Sequence, residues 1–513
     1  MTLVLARATL IAAGTIATVL STRYLIYLIK SFSSPLRKLP GASDSIARVL
    51  LGSLNFFVFG ADKIHEVSYK KHKKYGPIVV IGANEISIAD PELAKAILVT
   101  DSFPKSSDRL GRLRDPVEPP SLIAIADDNE HRKLRRTMAY SFSVKGLASQ
   151  EPLMMNCLNN AISYVDQKWA KETSNNPDEF SVLDIWQLPN RFALDVIGET
   201  AFGQTFHMIE NGAHPLPLAI GRNLRHLSFR FLFPWTRYLP FLSINRQFTK
   251  DRNFMRSFTK DMVESRRSHP TDRHDILQQL LDAKDPETGK PLTDAEISIN
   301  SRLFLIAGSE TTANTIALTI IHLFEYPQVK AKLLEELDAA ELDPRTNLID
   351  HNVAKNLPYL NAVISEIMRF CPTIPQGPTR ELPQDMYLGG YFVPKGTAVV
   401  IATFSTHRNK DIWSDPDTFR PERFLEDNTT FRGLESKCEL VPFSAGPRNC
   451  IGKNFALMEL RIFLANFLRS YDIEDISGQS KETRLMVTMR IKGDSYKVRI
   501  RPRQRTVTPT PAS

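Results

Sequence analysis

Hydrophobic residues recur with a helical period in several long segments of this 513-residue chain. Thr293-Asp-Ala-Glu296 has the residues of a capping box, which predicts a long helix from there to near Tyr326. Amphipathic or apolar periodicity predicts two further helices, over residues 357–370 and 451–467. Residues 78–88 instead favour two short β-strands joined by a turn.

The most apolar long segment lies near the start of the chain, over residues 8–29. It is long enough to cross a bilayer with some tilt, although Arg23 would have to extend toward an interface. Lys30, Arg37 and Lys38 follow it, so the downstream side is the more positive and is expected to be cytosolic. A cleaved secretory signal is the alternative, and the cysteine usage of the chain disfavours it.

Charge and cysteine usage narrow the function classes. The formal net charge is +8 and the isoelectric point is about 9.1. This balance suits nucleic acid, an anionic membrane or an acidic protein partner, and the sequence contains no nucleic-acid-binding motif. The four cysteines show no disulfide pattern and fit a reducing compartment. Three of them, Cys157, Cys371 and Cys438, are interpreted as buried filler.

The fourth cysteine, Cys450, lies in the stretch Phe443-Ser-Ala-Gly-Pro-Arg-Asn-Cys-Ile-Gly452. Gly446 and Gly452 have no Cβ, so backbone N–H groups can approach the sulfur closely. Phe443 can cover the sulfur, and Arg448 offers a planar set of donors suited to a haem propionate. The helix that follows would favour a thiolate near its N-terminus. These features indicate a cysteine that ligates haem iron, since a thiolate ligand favours cleavage of the O–O bond.

This stretch resembles the haem-binding signature of the cytochrome P450 family, Phe-x-x-Gly-x-Arg-x-Cys-x-Gly, at every specified position. The resemblance covers nearly the whole chain, and the sequence looks most like microsomal-type fungal members that modify secondary metabolites. It implies the cytochrome P450 fold, which is mainly α with small β-sheets (α+β) and has a long central helix over haem b. Cys450 would be the ligand of the iron.

The predicted long helix carries the segment Ala307-Gly-Ser-Glu-Thr-Thr312. A glycine inside a helix costs about 1 kcal/mol relative to alanine, and the close approach of a flat macrocycle is a reason to keep Gly308. The segment is similar to the oxygen-activation motif of the family, which implies that Glu310 and Thr311 relay protons. Phe304, Ala307 and Gly308 share a helix face with Thr311 and are expected to contact substrate.

Basic residues far from Cys450 in sequence are candidates for binding the haem propionates. His131 and Arg135 lie four residues apart on one face of a predicted helix. The family usually has Trp-x-x-x-Arg here, so His131 departs from the pattern, although its ring can still donate to a carboxylate. Arg380 matches another family position that often meets a propionate.

Glu366 and Arg369 lie three residues apart on one face of a predicted helix. Such a pair is common on helix surfaces, but the family combines it with an arginine that corresponds to Arg423. In the family these charges form a buried network that fixes the haem-binding core. Buried charges are tolerated only when all are paired, so the three residues are expected to be structural.

Two other segments are expected to lie near the substrate pocket. Residues 224–242 mix aromatic side chains with arginine, which suits either core packing or membrane contact. In the family this region lies between the two helices that roof the active site. Residues 484–490 are β-like and are expected to contribute a loop to the pocket.

The residue patterns and the resemblance together predict four parts: a membrane anchor (1–30), a proline-rich hinge (31–45), a haem-thiolate catalytic domain (46–505) and a disordered tail (506–513). The expected activity is a monooxygenase reaction, in which one atom of O2 enters a lipophilic small molecule. NADPH electrons would come through NADPH–cytochrome P450 reductase, and cytochrome b5 is a further candidate partner.

The expected location is the endoplasmic reticulum membrane, with a single span, a cytosolic catalytic domain and no nucleic-acid partner. Two alternatives stay open. One is a haem-thiolate isomerase or dehydratase, against which the intact Glu310–Thr311 pair argues. The other is a haem-binding protein without enzymatic activity.

Overall fold

The computed structural model describes residues 2–46, 61–106, 118–212, 214–232, 236, 243–426 and 431–504. Within them the fold is mainly helical with four small β-sheets, which agrees with the expected α+β class. The α-helices are α1 (Thr2–Phe32), α2 (Ile64–Tyr75), α3 (Pro91–Lys95), α4 (Asp128–Met138), α5 (Val144–Leu147), α6 (Glu151–Thr173), α7 (Gln187–Ile197), α8 (Met208–Asn211), α9 (Pro215–Leu232), α10 (Ser243–Ser268), α11 (Ile276–Asp282), α12 (Asp294–Leu323), α13 (Pro327–Asp338), α14 (His351–Ala354), α15 (Pro358–Phe370), α16 (Thr403–Thr406), α17 (Phe431–Ser436) and α18 (Lys453–Ser470). The strands are β1 (Ile78–Gly82), β2 (Glu85–Ile88), β3 (Ser181–Asp184), β4 (Thr379–Glu381), β5 (Met386–Leu388), β6 (Tyr391–Val393), β7 (Ala398–Ile401), β8 (Tyr471–Asp475), β9 (Thr483–Leu485), β10 (Met489–Ile491) and β11 (Lys497–Pro502).

Helix α12 is a buried core helix, and α7, α10 and α18 pack against it. It begins at the predicted capping box: the Thr293 hydroxyl accepts from the Glu296 amide at 3.2 Å, and the Glu296 carboxylate accepts from the Thr293 amide at 2.9 Å. It ends at Leu323, slightly before the predicted Tyr326. Pro327 begins α13 and disfavours helical backbone at the residue before it.

The largest sheet has the strand order β1-β2-β7-β4. The hairpin β1–β2 is the one predicted over residues 78–88, and β2 pairs in parallel with β7 from far along the chain. The sheet is buried on both faces, since Ile78 and Val80 join one apolar cluster while Val79 joins another. Strand β4 pairs with β7 and carries Arg380 opposite Val399.

The amino-terminal segment is helical where the apolar stretch was found, in α1. The segment after it, predicted as a hinge, packs against the large sheet: Leu36 and Leu39 are buried, and the Val80 amide donates to the Pro40 carbonyl at 3.0 Å. In the described part of the chain, α12 has the length and composition to cross a membrane. However, 72% of the most apolar stretch of α12 is buried inside the fold, as in a core helix.

Two predictions fall wholly or partly outside the described residues. Of the aromatic run at 224–242, the structure describes α9 up to Leu232 and Thr236, and residues 233–235 and 237–242 lie outside. The tail predicted at 506–513 also lies outside.

Candidate functional site

A cavity of about 1260 Å³ lies between α12 and the loop that carries Cys450. Phe304, Ala307, Gly308 and Thr311 line it from α12, while Cys450 lines it from the loop. The fold thus brings the predicted oxygen-activation segment and the predicted iron ligand to one space.

The sulfur of Cys450 is accessible from this cavity, but protein atoms surround the side chain closely. This burial raises the pKa of the thiol, and the N–H of Gly452 and the cations Arg135 and Lys453 act in the opposite direction. A metal ion deprotonates a thiol that coordinates it. Cys450 is therefore expected to become a thiolate when it binds iron.

The two glycines of the signature do different things. The N–H of Gly452 is directed at the sulfur of Cys450, and a Cβ on Gly452 would lie 4.0 Å from that sulfur. Gly446 does not approach the sulfur in this way: its φ is +72°, and a Cβ there would lie 1.9 Å from the Leu98 carbonyl oxygen. Gly446 therefore allows the cysteine loop to pack on residues 96–100. The Phe443 carbonyl accepts from the Cys450 amide at 2.9 Å, which closes the loop.

Arg380 is a buried cation with unused donors at the cavity. It is 2% exposed, and its Nη1 donates to the Thr379 carbonyl at 3.1 Å. Its Nε and Nη2 have no hydrogen-bond partner among the described residues. Burial, followed by the nearby Arg448, lowers the pKa of Arg380 to about 10. Because a buried charge without a partner is costly, Arg380 is suited to bind an anionic group in the cavity.

Lys105 lines the same cavity and was missed by the sequence analysis. Burial, then the cations Arg380, Arg448 and Arg135, lowers the pKa of Lys105 to about 7. Among the described residues, its Nζ donates a single long bond of 3.5 Å, to the Ile123 carbonyl. A lone lysine in an aperiodic stretch carries no signal in the sequence, and only the fold brings it beside the other cations.

Arg448, Arg135 and His131 also line the cavity. Arg448 donates to the Asp128 carboxylate through Nε at 2.9 Å and Nη2 at 2.5 Å. Arg135 donates to the backbone and side-chain oxygens of Asn449 at 2.6 and 2.5 Å. Both arginines thus clamp the cysteine loop to α4, Arg448 at the first residue of the helix and Arg135 from its last turn. His131 is buried, and burial followed by Arg448 lowers its pKa to about 3, so its ring is neutral at physiological pH.

These residues fit a haem group. Cys450 offers one sulfur ligand, and no group of three or more His, Cys, Asp and Glu side chains in the described part of the chain could hold a bare metal ion. A macrocycle would supply the ligands that the protein does not. The unpaired donors of Arg380 and the weakly bonded Lys105 suit the two propionate carboxylates.

Thr311 and Glu310 are neighbours in sequence but face different surroundings. The Thr311 hydroxyl donates to the Ala307 carbonyl at 2.8 Å, and the side chain lines the cavity. The Glu310 carboxylate lies 3.5 Å from Nη1 of Arg490, on β10. Burial raises the pKa of Glu310, while Arg490 and a hydrogen bond with Thr488 lower it. The pair therefore links the cavity to the β9–β10 hairpin.

Apolar side chains line most of the remaining cavity. They come from α7, α9, α12 and the β9–β10 hairpin, and they include Ile197, Phe229, Leu303, Met486 and Val487. Residues 484–487 are part of the segment predicted to reach the pocket. Gly308 has a packing role as well as a place in the wall, since a Cβ there would lie 2.9 Å from Cδ1 of Ile197.

The charge network lies buried behind the cysteine loop. Glu366 and Arg369 are 0% exposed, and Arg369 donates to both carboxylate oxygens at 2.7 and 2.8 Å. Arg423 adds a bond from Nε to the same carboxylate at 3.2 Å. Arg369 also donates to the His407 carbonyl at 2.8 Å, and the His407 ring accepts from the Val441 amide at 2.9 Å. This connection to the cysteine loop through His407 was not predicted.

Comparisons with known proteins identify the family and the fold. The model of the family described as Cytochrome P450 matches residues 47–498. Cytochrome P450 monooxygenase FUS8 of Gibberella moniliformis is 32% identical over 481 residues, which cover 93% of this chain and 90% of FUS8. Averantin hydroxylase of Dothistroma septosporum is 31% identical, over 88% of this chain and 82% of the hydroxylase. The crystal structure of the cytochrome P450DA haem domain has a TM-score of 0.75 at 23% identity and covers 88% of this chain and 95% of that domain, which shows the fold.

Proposed function

The chain belongs to the cytochrome P450 family of monooxygenases, and on that premise we propose that it inserts one atom of O2 into a lipophilic fungal secondary metabolite. The observation that carries the proposal is the cavity that Cys450 and Thr311 share with the unpaired donors of Arg380. Haem b bound there would supply the oxygen-activating chemistry. The chain's own residues would bind and orient the haem and the substrate and would move protons.

The haem would be held at its iron and at its carboxylates. Cys450 would ligate the iron, and the N–H of Gly452 would donate to its sulfur and tune the thiolate. Arg380 and Lys105 would donate to the propionates, because the described residues do not fully use their donors. His131, which lines the same cavity, would donate to a propionate as well. The other residues assigned to the cofactor site are Phe443, Gly446, Arg135 and Arg448, which shape or clamp the cysteine loop.

Proton delivery would run through Glu310 and Thr311. The raised pKa of Glu310 lets its carboxyl hold a proton more readily than an exposed glutamate. The Thr311 hydroxyl lies at the cavity, where it can pass a proton on to the reacting oxygen after releasing the Ala307 carbonyl. Arg490 would keep the Glu310 carboxylate in place between transfers.

The substrate would be a mostly apolar molecule. Phe304, Ala307 and Gly308 would contact it from α12, and the apolar side chains of α7, α9 and the β9–β10 hairpin would cover it. A relative named averantin hydroxylase supports hydroxylation as one outcome. The same residues would also allow epoxidation, ring closure or repeated oxidation.

Electrons would come from NADPH through NADPH–cytochrome P450 reductase, with cytochrome b5 as a further partner, at the endoplasmic reticulum membrane. The 31 residues of α1 span about 46 Å at a rise of about 1.5 Å per residue, more than the ~30 Å hydrocarbon core of a bilayer. The apolar residues Leu25, Ile29 and Phe32 are exposed on α1, which supports a lipid environment. The proposed organisation is an anchor at 1–30, a hinge at 31–45, a cytosolic catalytic domain at 46–505 and a tail at 506–513.

The activity is tested by expressing the chain with a fungal cytochrome P450 reductase and incubating it with NADPH, heavy-isotope O2 and candidate metabolites. We expect a product that gains one heavy oxygen atom only when NADPH and reductase are present. Conversion without either of them would support the isomerase or dehydratase alternative. If the protein binds haem but forms no product from any of the candidate metabolites, the non-enzymatic alternative is supported.

The membrane anchor is tested separately by fractionation. The full chain should remain with membranes after alkaline carbonate treatment, and a variant that begins at Ser33 should be released. This cut leaves Leu36 and Leu39 in place against the sheet, so the variant should still bind haem. Release of the full chain by carbonate would contradict the anchor and would leave the proposed chemistry intact.

A further inference from the structure

Glu459 is a buried acid that none of the roles above uses. It lies on α18, the helix that follows Cys450, and its side chain is 0% exposed. Neither carboxylate oxygen has a partner among the described residues in a well-formed hydrogen bond. An acidic side chain in an otherwise apolar helix core is costly, so its position calls for a reason.

The group that faces Glu459 is the hydroxyl of Thr312, on α12. Thr312 is 2% exposed, and its hydroxyl likewise has no bonded partner within the described part of the chain. The two side chains are close enough to interact, and α12 packs directly on α18. Among the described residues, Glu459 also acts electrostatically on the thiol of Cys157, on α6. None of the described cations acts on Glu459 appreciably.

This environment favours the neutral form of the acid. Burial raises the pKa of Glu459 well above its usual value, and Thr312 opposes this only in part. An ionised carboxylate would need a cation or several donors, and Thr312 offers a single hydroxyl. A neutral carboxyl has one O–H donor and a carbonyl acceptor. It can therefore bond to a threonine hydroxyl with no unpaired charge.

We propose that Glu459 keeps its proton at neutral pH and acts as a positioning residue that holds Thr312, and with it Thr311, in place on the cavity wall. Thr311 and Thr312 are consecutive residues of α12, so a bond that fixes one limits the movement of the other. Because Glu459 lies on α18, the same carboxyl connects the cavity wall to the helix that follows Cys450. The effect on proton delivery rests on the proposed function, whereas the protonation state does not.

The protonation state is tested by infrared difference spectroscopy of the holoenzyme at neutral pH. The spectrum of the wild type minus Glu459→Gln should contain a band of a protonated carboxyl group. Glu264→Gln is the matched control, because Glu264 is an exposed glutamate in a surface ion pair with Lys260 and should give no such band. Absence of the protonated-carboxyl band from the Glu459→Gln difference would overturn the proposal, whatever reaction the enzyme catalyses.

The positioning role is tested by measuring product formed per NADPH consumed. Glu459→Gln should couple as the wild type does, because the amide can still donate to Thr312. Glu459→Leu should lower product per NADPH about fivefold, which corresponds to one neutral hydrogen bond, while the spectrum of the reduced, CO-bound form stays unchanged. Equal coupling in wild type and Glu459→Leu, or equal losses in both variants, would overturn the proposal.

A third variant covers the case in which Glu459→Leu does not fold. Thr312→Val removes the hydroxyl and keeps the volume of the side chain, so it leaves the helix packing intact. Thr312→Val should lower product per NADPH about as much as Glu459→Leu does. The double variant Thr312→Val with Glu459→Gln should show no further loss. Wild-type coupling in Thr312→Val would contradict the proposed bond. If the wild type itself forms no product, the monooxygenase proposal fails, while the infrared result still decides the state of Glu459.

Discussion

Replacing Arg380 with leucine should weaken haem binding without destabilising the protein that lacks haem. Arg380 is buried, and its Nε and Nη2 have no partner among the described residues, so a propionate would be their main partner. A hydrogen bond to a charged group contributes about 1.5–3 kcal/mol. Its loss should accelerate haem release by roughly 10- to 150-fold. Leucine removes an unpaired buried charge, so the stability of the apoprotein should not fall.

The assay follows the transfer of haem from the enzyme to excess apomyoglobin, together with chemical denaturation of the apoprotein. Arg461→Leu is the matched control, because Arg461 is a half-buried arginine on α18 that bonds to the Asn361 side chain at 2.7 Å and does not line the cavity. It should leave the haem transfer rate near that of the wild type. The reasoning is refuted if Arg380→Leu transfers haem at the wild-type rate, or if Arg461→Leu accelerates the transfer equally.

Three further predictions follow from the same geometry. Glu366→Gln leaves two buried arginines without a carboxylate and should lower the free energy of unfolding by about 3–5 kcal/mol. The surface control Glu264→Gln should lower it by less than about 1 kcal/mol, and equal losses in the two variants would show that the network is not buried as described. Haem affinity should fall as the pH rises above about 7, because Lys105, with a pKa of about 7, must be protonated to bind a propionate. If haem affinity depends on pH as steeply in Lys105→Met as in the wild type, Lys105 is not the group responsible. Thr311→Ala should consume NADPH but yield less product, and an unchanged yield per NADPH would remove Thr311 from the proton relay.

Local patterns predicted the elements whose signals are contained in a few neighbouring residues. The capping box at Thr293 marked the start of α12 correctly, because both of its bonds lie within one turn. The two short β-favouring runs at residues 78–88, separated by a turn, marked β1 and β2. The parallel pairing of β2 with β7 could not be predicted, since Glu85 and Ala398 are far apart in sequence and no local pattern joins them.

The candidate site shows the same division between local and long-range information. The cysteine signature is contiguous, so it indicated Cys450 directly. Lys105 and Glu459 carried no signal, because a single lysine in a loop and a single glutamate in a helix are ordinary in sequence. Their environments arise from contacts with other segments, namely Arg380 on β4 and Thr312 on α12.

Gly446 belongs to the site, as the sequence predicted, but the structure gives a different physical reason for a glycine there. The sequence suggested that it frees the backbone around the sulfur. In the structure its positive φ and its close contact with the Leu98 carbonyl seat the cysteine loop on the segment 96–100. The need for glycine is thus set by a neighbour that lies far away in the chain.

The most direct test of the central claim, that Cys450 is the thiolate ligand of a haem iron, is the absorption spectrum of the reduced, CO-bound protein. The wild type should show the Soret band of a thiolate-ligated haem, and Cys450→Ser should lose it while Cys438→Ser, at a buried cysteine away from the cavity, keeps it. A wild-type Soret band at the position of an ordinary histidine-ligated haem, or a thiolate band that persists in Cys450→Ser, would contradict the account.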